Sequence, residues 1–194
     1  MNPTILGERF RDAMVEALRL HARQERKGSR VPYMTHLLGT AAAVLHFGGD
    51  EDQAIAGLLH DAAEDQGGQP TLEAIRQKFG ERVAEIVEGC TDTFEEKKPA
   101  WKPRKQAYIA KLAQEPKHVL LVSAADKLDN ARAIVADLRQ SGAKVWSRFN
   151  GGIDSLWYYR ALVEAYQQAK VGPIALELEA AVSEMERLAA GAKT

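Results

Sequence analysis

Cysteine is almost absent from this sequence, and the chain carries almost no net charge. The 194 residues include one cysteine, Cys90, which excludes a disulfide scaffold and a thiolate metal cluster. One free cysteine fits a reducing compartment. The formal net charge is −1, so no global field attracts nucleic acid or an anionic membrane. Any anionic ligand therefore requires a local cluster of cations.

Long apolar runs are also missing. No stretch approaches the roughly 20 apolar residues that span a membrane. The N-terminal segment "MNPTILGERFRDAMVEAL" contains acids and lacks the basic-then-apolar order of a signal peptide. We therefore expect a cytoplasmic protein with no membrane partner and no nucleic-acid partner. Hydrophobic residues make up 45% and charged residues 27%, as in a globular domain, and we expect one domain over residues 1–194.

Strand patterns and repeats are lacking, whereas apolar residues recur with helical spacing through most of the chain. Glycine and proline divide this pattern into segments. The residues 92–104, "DTFEEKKPAWKPR", contain two prolines and no apolar period, which predicts a long functional loop. The predicted class is an all-α helical bundle, with helices over about 4–24, 32–47, 50–65, 71–79, 81–90, 105–114, 116–142, 154–170 and 173–190.

Ionisable side chains are concentrated in the stretch "LHDAAEDQ", at the end of the third predicted helix. On a continuous helix, His60 lies beside Glu64 and Asp61 lies beside Asp65, which gives one polar edge. A helix end with solvated acids is one interpretation. However, acids near a helix C-terminus face the negative end of the helix dipole, and a bound cation would reverse that penalty.

Two other apolar helices carry isolated polar residues. Asp126 follows the run "VLLVSAA", and a buried carboxylate needs a partner, which is either a metal ion or an arginine or backbone cap. Asn130, four residues later, points the same way. His36 stands on another apolar helix, where a lone histidine is more often a satisfied core residue than a ligand. As a set, two histidines and two aspartates could form a mixed site that suits Mn²⁺, Fe²⁺ or Zn²⁺: His36, His60, Asp61 and Asp126.

The order of these residues resembles the HD superfamily of metal-dependent phosphohydrolases. Four stretches resemble the hydrolase domain of bifunctional RelA/SpoT enzymes and the stand-alone small alarmone hydrolases: "QERKGSRVPYMTHLLGTAAAV", "GDEDQAIAGLLHDAAEDQ", "TLEAIRQKFGERVAEIVEGCTD" and "ADKLDNARAI". The resemblance covers about residues 20–170. It implies an HD-type bundle, one bound Mn²⁺, and hydrolysis of the 3′-pyrophosphate of ppGpp or pppGpp to GDP or GTP and pyrophosphate. Synthesis of these alarmones is not expected.

The resemblance also implies roles for individual residues. His36, His60, Asp61 and Asp126 match the family's metal ligands, and Glu64 and Asp65 match its catalytic acidic pair. The positions that match substrate-facing residues are Arg26, Lys27, Tyr33 and Asn130. Within the cations of the 92–104 loop, Lys98 and Arg104 are further candidates for phosphate binding, although a solvated lysine-rich turn has the same composition. The chain departs from the common family pattern at Leu37, Lys127 and Asp129, where proline, arginine and histidine are usual.

Three other functions remain as alternatives. An HD phosphohydrolase acting on other nucleotides would need the metal site but neither the "RK…PY" residues nor the acidic pair. A non-catalytic alarmone-binding protein would be expected to have lost a ligand or the acidic pair. A purely structural bundle has no reason to place the four metal-type residues on apolar helices. The expected partner is a small nucleotide, with guanine or adenine as its base.

Overall fold

A computed structural model describes residues 4–95 and 97–191, and helices account for most of them. Within this part of the chain there is no strand, only an isolated bridge between Glu25 and Pro32. The prediction of an all-α fold is therefore confirmed. The α-helices are α1 Glu8–Leu20, α2 Met34–His46, α3 Glu51–Leu59, α4 Ala62–Asp65, α5 Gln69–Phe79, α6 Glu81–Cys90, α7 Trp101–Leu112, α8 Lys117–Ser141, α9 Ser155–Gln168 and α10 Pro173–Gly191, with 3-10 helices at Gly142–Arg148 and Gly152–Asp154.

Helix α8 is the centre of the bundle. It contacts α2, α3, α6, α9 and α10, so it is covered on several sides. Apolar side chains along most of its length are buried, including Val122, Leu128 and Ala131. Asp126 is only 3% exposed in the middle of this helix, as its apolar surroundings predict. A carboxylate in such a place needs compensating partners.

Helices α2 and α3 approach each other closely. A Cβ added at Gly57 of α3 would lie 3.1 Å from the Cα of Ala41 in α2, a distance tighter than ordinary van der Waals contact. The glycine therefore allows the two backbones to touch. Asp50 begins α3 with a capping box, because its side chain accepts from Gln53 N–H while the Gln53 side chain accepts from Asp50 N–H, both at 3.0 Å.

The third predicted helix is not continuous, which corrects the prediction for residues 50–65. Helix α3 ends at Leu59, α4 begins at Ala62, and the turn between them consists of His60 and Asp61. His60 Nδ1 donates to the carbonyl of Gly57 at 2.9 Å. In an uninterrupted helix that carbonyl would accept from the Asp61 N–H, so the imidazole competes with the helix bond.

Two other boundaries also differ from the prediction. The first helix covers residues 8–20 rather than 4–24. It ends early because residues 21–33 fold back into a loop in which Tyr33 N–H donates to the carbonyl of Gln24 at 2.9 Å. Helix α7 begins at Trp101, within the predicted loop. Pro103 is the third residue of α7, where a proline is tolerated because the first helical N–H groups have no intrahelical acceptor. The loop therefore ends at residue 100.

Candidate metal centre and active site

Four side chains from three parts of the chain meet at the middle of α8, which contributes one of them. His36 comes from α2, His60 and Asp61 from the turn after α3, and Asp126 from α8. His36 Nε2 lies 3.2 Å from His60 Nε2 and 3.3 Å from Asp126 Oδ1. Asp61 Oδ2 lies 3.1 Å from His60 Nε2 and 3.5 Å from His36 Nε2. The four residues predicted as ligands from the sequence are thus brought together.

These separations suit a metal ion. Nitrogen and oxygen ligands lie about 2.0–2.2 Å from a first-row metal, so adjacent ligand atoms are roughly 2.8–3.6 Å apart in octahedral or tetrahedral geometry. The donor atoms of His36, His60 and Asp126 lie within 4.8 Å of one another, and all three residues are buried. Two imidazoles and two carboxylates are a donor set for a divalent transition metal. This cluster therefore supports a divalent metal.

The tautomers of the two histidines point to the same conclusion. His36 Nδ1 donates to Asp129 Oδ2 at 2.7 Å, and His60 Nδ1 donates to the carbonyl of Gly57 at 2.9 Å. In the neutral imidazoles both Nε2 atoms then carry lone pairs, and the two atoms lie only 3.2 Å apart. Such a pair needs a proton or a metal ion between its members. The residues present therefore fit a bound metal.

Electrostatics favour a positive charge at this centre. Burial alone would lower the pKa of His36, but the carboxylates of Asp126, Asp129 and Asp61 outweigh it and raise that pKa to about 9. The pKa of buried His60 is raised by Asp61 and Asp126 in the same way. Burial opposes ionisation of Asp126, yet the Lys127 ammonium and the two histidines hold its pKa well below the usual range. A metal ion would take the place of the protons that the histidines hold.

The observed partners of Asp126 differ from the arginine or backbone cap that the sequence predicted. Its Oδ1 faces His36 and accepts from Asn130 Nδ2 at 2.6 Å, while its Oδ2 accepts from Lys127 Nζ at 2.5 Å. The cationic partner is the neighbouring lysine and not an arginine. Oδ1 therefore faces the centre, whereas Oδ2 is neutralised within the protein.

The acidic pair lies on α4, immediately after this turn. Glu64 Oε2 accepts from the backbone N–H of Asp92 at 3.0 Å, and Glu64 Oε1 accepts from Lys98 Nζ at 2.6 Å. Asp65 Oδ2 accepts from Gln24 Nε2 at 2.8 Å, and Asp65 Oδ1 lies 3.4 Å from Lys98 Nζ. Both carboxylates are thus held by donors from other segments, and Glu64 is only 14% exposed.

A cleft of about 540 Å³ adjoins the centre. Several residues predicted to face the substrate line it, namely Arg26, Lys27, Tyr33 and Asn130, together with the aromatic rings of Phe149 and Tyr159. Arg26 donates to Asn130 Oδ1 at 3.1 Å, and Lys27 donates to Asn150 Oδ1 at 2.8 Å. The cleft therefore joins cations and aromatic surface, as phosphate groups and a purine require.

Tyr33 also makes a hydrogen bond that the sequence did not predict. Its hydroxyl donates to Asp61 Oδ2 at 2.5 Å, and its ring stacks on His21 with centroids 5.4 Å apart. Burial and the Asp61 carboxylate raise the pKa of this phenol far above its ordinary value, so the hydroxyl keeps its proton. His21 covers one face of the ring. Tyr33 therefore lines the cleft and also holds the candidate ligand Asp61 through its hydroxyl.

The two loop candidates are engaged with acids of the protein. Lys98 lies between Glu64 and Asp65, as described above. Arg104 is only 10% exposed and forms an ion pair with Asp92, which also accepts from Lys105 Nζ at 2.6 Å. Lys98 therefore reaches the acidic pair from the loop, while Arg104 lies on α7, outside the loop, and is paired with Asp92.

Sequence reasoning missed the residues that hold the predicted ones. Gln24 orients Asp65, and it accepts in turn from His21 Nδ1 at 2.7 Å and from Gln66 Nε2 at 2.5 Å. Asp129 accepts from His36. One feature of the sequence could have pointed to Asp129, since an acid stands there where the family commonly has a histidine. Nothing in the pattern indicated Gln24, because its partner is 41 residues away.

Comparison with known proteins decides the family. The family model described as "HD domain" matches residues 13–153, which is more than half of the chain. The chain belongs to the HD domain family. The predicted resemblance to this family is confirmed.

Two curated relatives of this chain are named as pyrophosphohydrolases. The chain is 38% identical over 130 residues to "Guanosine-3′,5′-bis(diphosphate) 3′-pyrophosphohydrolase MESH1" of Xenopus tropicalis, covering 66% of this chain and 68% of that protein. It is 34% identical over 128 residues to "Guanosine-3′,5′-bis(diphosphate) 3′-pyrophosphohydrolase" of Aquifex aeolicus, covering 66% of this chain but only 18% of that protein. The match to longer relatives is therefore confined to a small part of their length.

Solved structures show the same fold. A structure described as "A metazoan ortholog of SpoT hydrolyzes ppGpp and plays a role in starvation responses" aligns with a TM-score of 0.72 and 25% identity, covering 95% of this chain and 97% of that one. The structure of lmo0812 from Listeria monocytogenes aligns with a TM-score of 0.67 and 30% identity, covering 79% and 97%. The HD-type helical fold is thus confirmed. Among the described residues, no helix is both long and apolar enough to cross a membrane.

Proposed function

We propose that this HD domain is a Mn²⁺-dependent 3′-pyrophosphohydrolase of guanosine or adenosine alarmones such as ppGpp. The observation that carries the proposal is the meeting of His36, His60, Asp61 and Asp126 at separations of 3.1–3.7 Å beside a cationic cleft. The names of the relatives support the substrate class. The mixed nitrogen and oxygen donors support Mn²⁺, which accepts imidazole and carboxylate together.

The substrate would lie in the cleft with its phosphates towards the centre. A polyanion on a chain of net charge −1 must be held by local cations, and Arg26 and Lys27 line this cleft. Arg26 can grip phosphate as a fork, whereas Lys27 acts as a point charge. Phe149 and Tyr159 offer flat apolar surface for the purine. Lys98 partly neutralises Glu64 and Asp65, which reduces their repulsion of the phosphates.

A divalent metal, when bound, makes water more acidic and polarises a phosphoryl oxygen. The chain's own residues supply the proton transfer. Glu64 or Asp65 takes a proton from the attacking water, since both carboxylates are fixed by donors and lie directly after the ligand Asp61. The water oxygen bonds to the phosphorus next to the 3′-oxygen, the bond between that phosphorus and the 3′-oxygen breaks, and the 3′-oxygen receives the proton that the carboxylate took. Pyrophosphate is thereby released, and Arg26 and Lys27 stabilise the negative charge of the pyrophosphoryl group during the transfer.

A substrate panel tests this function. The purified protein with Mn²⁺ is incubated with ppGpp, pppGpp, ppApp, GTP and dGTP, and products are separated by anion-exchange chromatography. We expect pyrophosphate with GDP from ppGpp and with GTP from pppGpp, and no turnover of GTP or dGTP. Hydrolysis of GTP or dGTP without hydrolysis of any 3′-diphosphate would favour another HD phosphohydrolase. Tight ppGpp binding without turnover by metal-loaded protein would favour a non-catalytic alarmone-binding protein.

A further inference from the structure

One carboxylate oxygen connects the metal centre with the substrate cleft. Asp129 Oδ2 accepts from His36 Nδ1 at 2.7 Å and from Arg26 Nη1 at 2.9 Å. The next residue makes a parallel connection, because Asn130 donates to Asp126 Oδ1 at 2.6 Å and accepts from Arg26 Nη2 at 3.1 Å. Each terminal nitrogen of the Arg26 guanidinium therefore reaches a candidate metal ligand through one side chain of α8.

The Asp129 connection is shielded from water. The side chains of His36, Arg26 and Asp129 are 1%, 18% and 23% exposed. Hydrogen bonds to a carboxylate are strong in such surroundings. A carboxylate that accepts from the outer nitrogen of a ligating histidine fixes its tautomer and makes the inner nitrogen a better ligand.

Helix packing makes room for this carboxylate. Gly39 stands on α2, three residues after His36, so both residues face α8. A Cβ added at Gly39 would lie 2.2 Å from Asp129 Oδ1, a separation that atoms do not adopt. The glycine and the aspartate therefore fit each other, and any side chain at position 39 would displace the carboxylate.

We propose that Asp129 is a positioning residue that couples the affinity of the metal centre to the orientation of the substrate-facing Arg26. Through His36 it strengthens metal binding, and through Arg26 it turns the guanidinium towards the cleft. The Arg26 half of the inference rests on the proposed function, whereas the His36 half does not.

The His36 half is tested with Mn²⁺ alone. The affinity of the metal-free protein is measured by competition with a fluorescent chelator for the parent, Asp129→Asn and Gly39→Ala. We expect Asp129→Asn to weaken Mn²⁺ binding by roughly 10-fold or more, the usual effect of losing such a partner. Gly39→Ala keeps every polar group and favours the helix, yet it should weaken binding as well. In an Asp129→Ala background Gly39→Ala should have no further effect.

Asp137→Asn is the matched control, because Asp137 also lies on α8 and pairs with Arg148 at 2.9 Å but contacts no candidate ligand. Its Mn²⁺ affinity should stay within about twofold of the parent. Unchanged affinity in both Asp129→Asn and Gly39→Ala would overturn the proposal. If Asp129→Asn does not fold, Gly39→Ala alone decides the question.

The Arg26 half is tested with a double-mutant cycle of Asp129→Asn and Arg26→Gln. KM for ppGpp and Kd for inorganic pyrophosphate are both measured. We expect each single change to weaken anion binding. The fold-change of the double variant should be smaller than the product of the two single fold-changes. Multiplicative effects on both quantities would overturn the coupling. If the parent does not hydrolyse ppGpp, the proposed function fails, while the pyrophosphate Kd and the Mn²⁺ affinity still decide this inference.

Discussion

The Tyr33 hydroxyl donates a hydrogen bond to Asp61 Oδ2 across 2.5 Å, and this joins the loop after α1 to the turn after α3. The ring of Tyr33 is packed against His21 and His36, with both centroids 5.4 Å away. Asp61 thus reaches the metal centre already oriented by a residue that also lines the cleft. The two segments are separated by 28 residues, so their contact is a product of the fold.

Tyr33→Phe should therefore lower metal affinity while keeping the fold. The variant retains the ring contacts and loses only the bond to Asp61, so we expect Mn²⁺ affinity to fall by roughly 10-fold. The matched control is Tyr158→Phe, because the buried Tyr158 hydroxyl has no hydrogen-bond partner among the described residues. Chelator competition measures both variants. Equal affinity in Tyr33→Phe and the parent would show that Tyr33 does not hold a ligand.

The acidic pair should be needed for turnover but not for metal binding. Glu64→Gln and Asp65→Asn keep the shape of each side chain and remove its ability to take a proton. We expect kcat for ppGpp to fall by about 10²-fold or more in at least one of them, with full metal content. Glu73→Gln, an exposed acid on α5, serves as the control. Near-parental kcat in both Glu64→Gln and Asp65→Asn would mean that these are surface acids without a catalytic role.

Gln24 should act through Asp65. Its amide donates to Asp65 Oδ2 and is itself held by His21 and Gln66. We expect Gln24→Ala to lower kcat by roughly 10-fold with little change in KM, and to have almost no further effect when Asp65 is already asparagine. A full additional loss in the Asp65→Asn background would show that Gln24 works by another route.

The capping box of α3 makes a prediction about stability and pH. Burial alone would raise the pKa of Asp50, but Arg82 and the Gln53 N–H lower it below its ordinary value. The carboxylate therefore stabilises the fold above its unfolded pKa, and this contribution is lost as the pH falls through the folded pKa.

The free energy of unfolding, measured with urea at pH 7, should be about 0.5–1 kcal/mol lower for Asp50→Ala than for the parent. Below pH 4 this difference should be smaller. Asp50→Asn should retain most of the stability at pH 7, since asparagine also caps helices and the exposed pair with Arg82 contributes little. An Asp50→Ala difference that grows as the pH falls would contradict the sign of this pKa shift.

The periodicity of apolar residues is a better guide to which residues are buried than to where helices begin and end. The buried run before Asp126 and the glycine after α8 were sufficient to place that helix within a few residues. The interruption at His60 depends on its own imidazole bonding to Gly57, and no propensity reports such a bond. The start of α7 at Trp101 was missed because a proline in the first turn of a helix has the same appearance as a proline in a loop.

The candidate ligands could be named from the sequence because the family motif fixes their spacing. Their supporting residues could not be, since those contacts join distant segments. Asp129 meets His36 across 93 residues, and Gln24 meets Asp65 across 41. Which side chains face one another at that range depends on how α2, α4 and α8 pack. Chemistry-bearing residue types were therefore visible in the sequence, whereas the hydrogen bonds that orient them required the fold.

The most direct test of the account is pyrophosphate release from ppGpp by metal-stripped protein before and after Mn²⁺ is added back. Four proteins are compared: the parent, His60→Ala, Asp126→Asn and His46→Ala, the last changing a histidine at the far end of α2 that contacts none of the candidate ligands. We predict that Mn²⁺ restores turnover in the parent and in His46→Ala, and fails to restore it in His60→Ala and Asp126→Asn. Turnover by the stripped parent without added metal, or parental turnover in His60→Ala, would contradict the account.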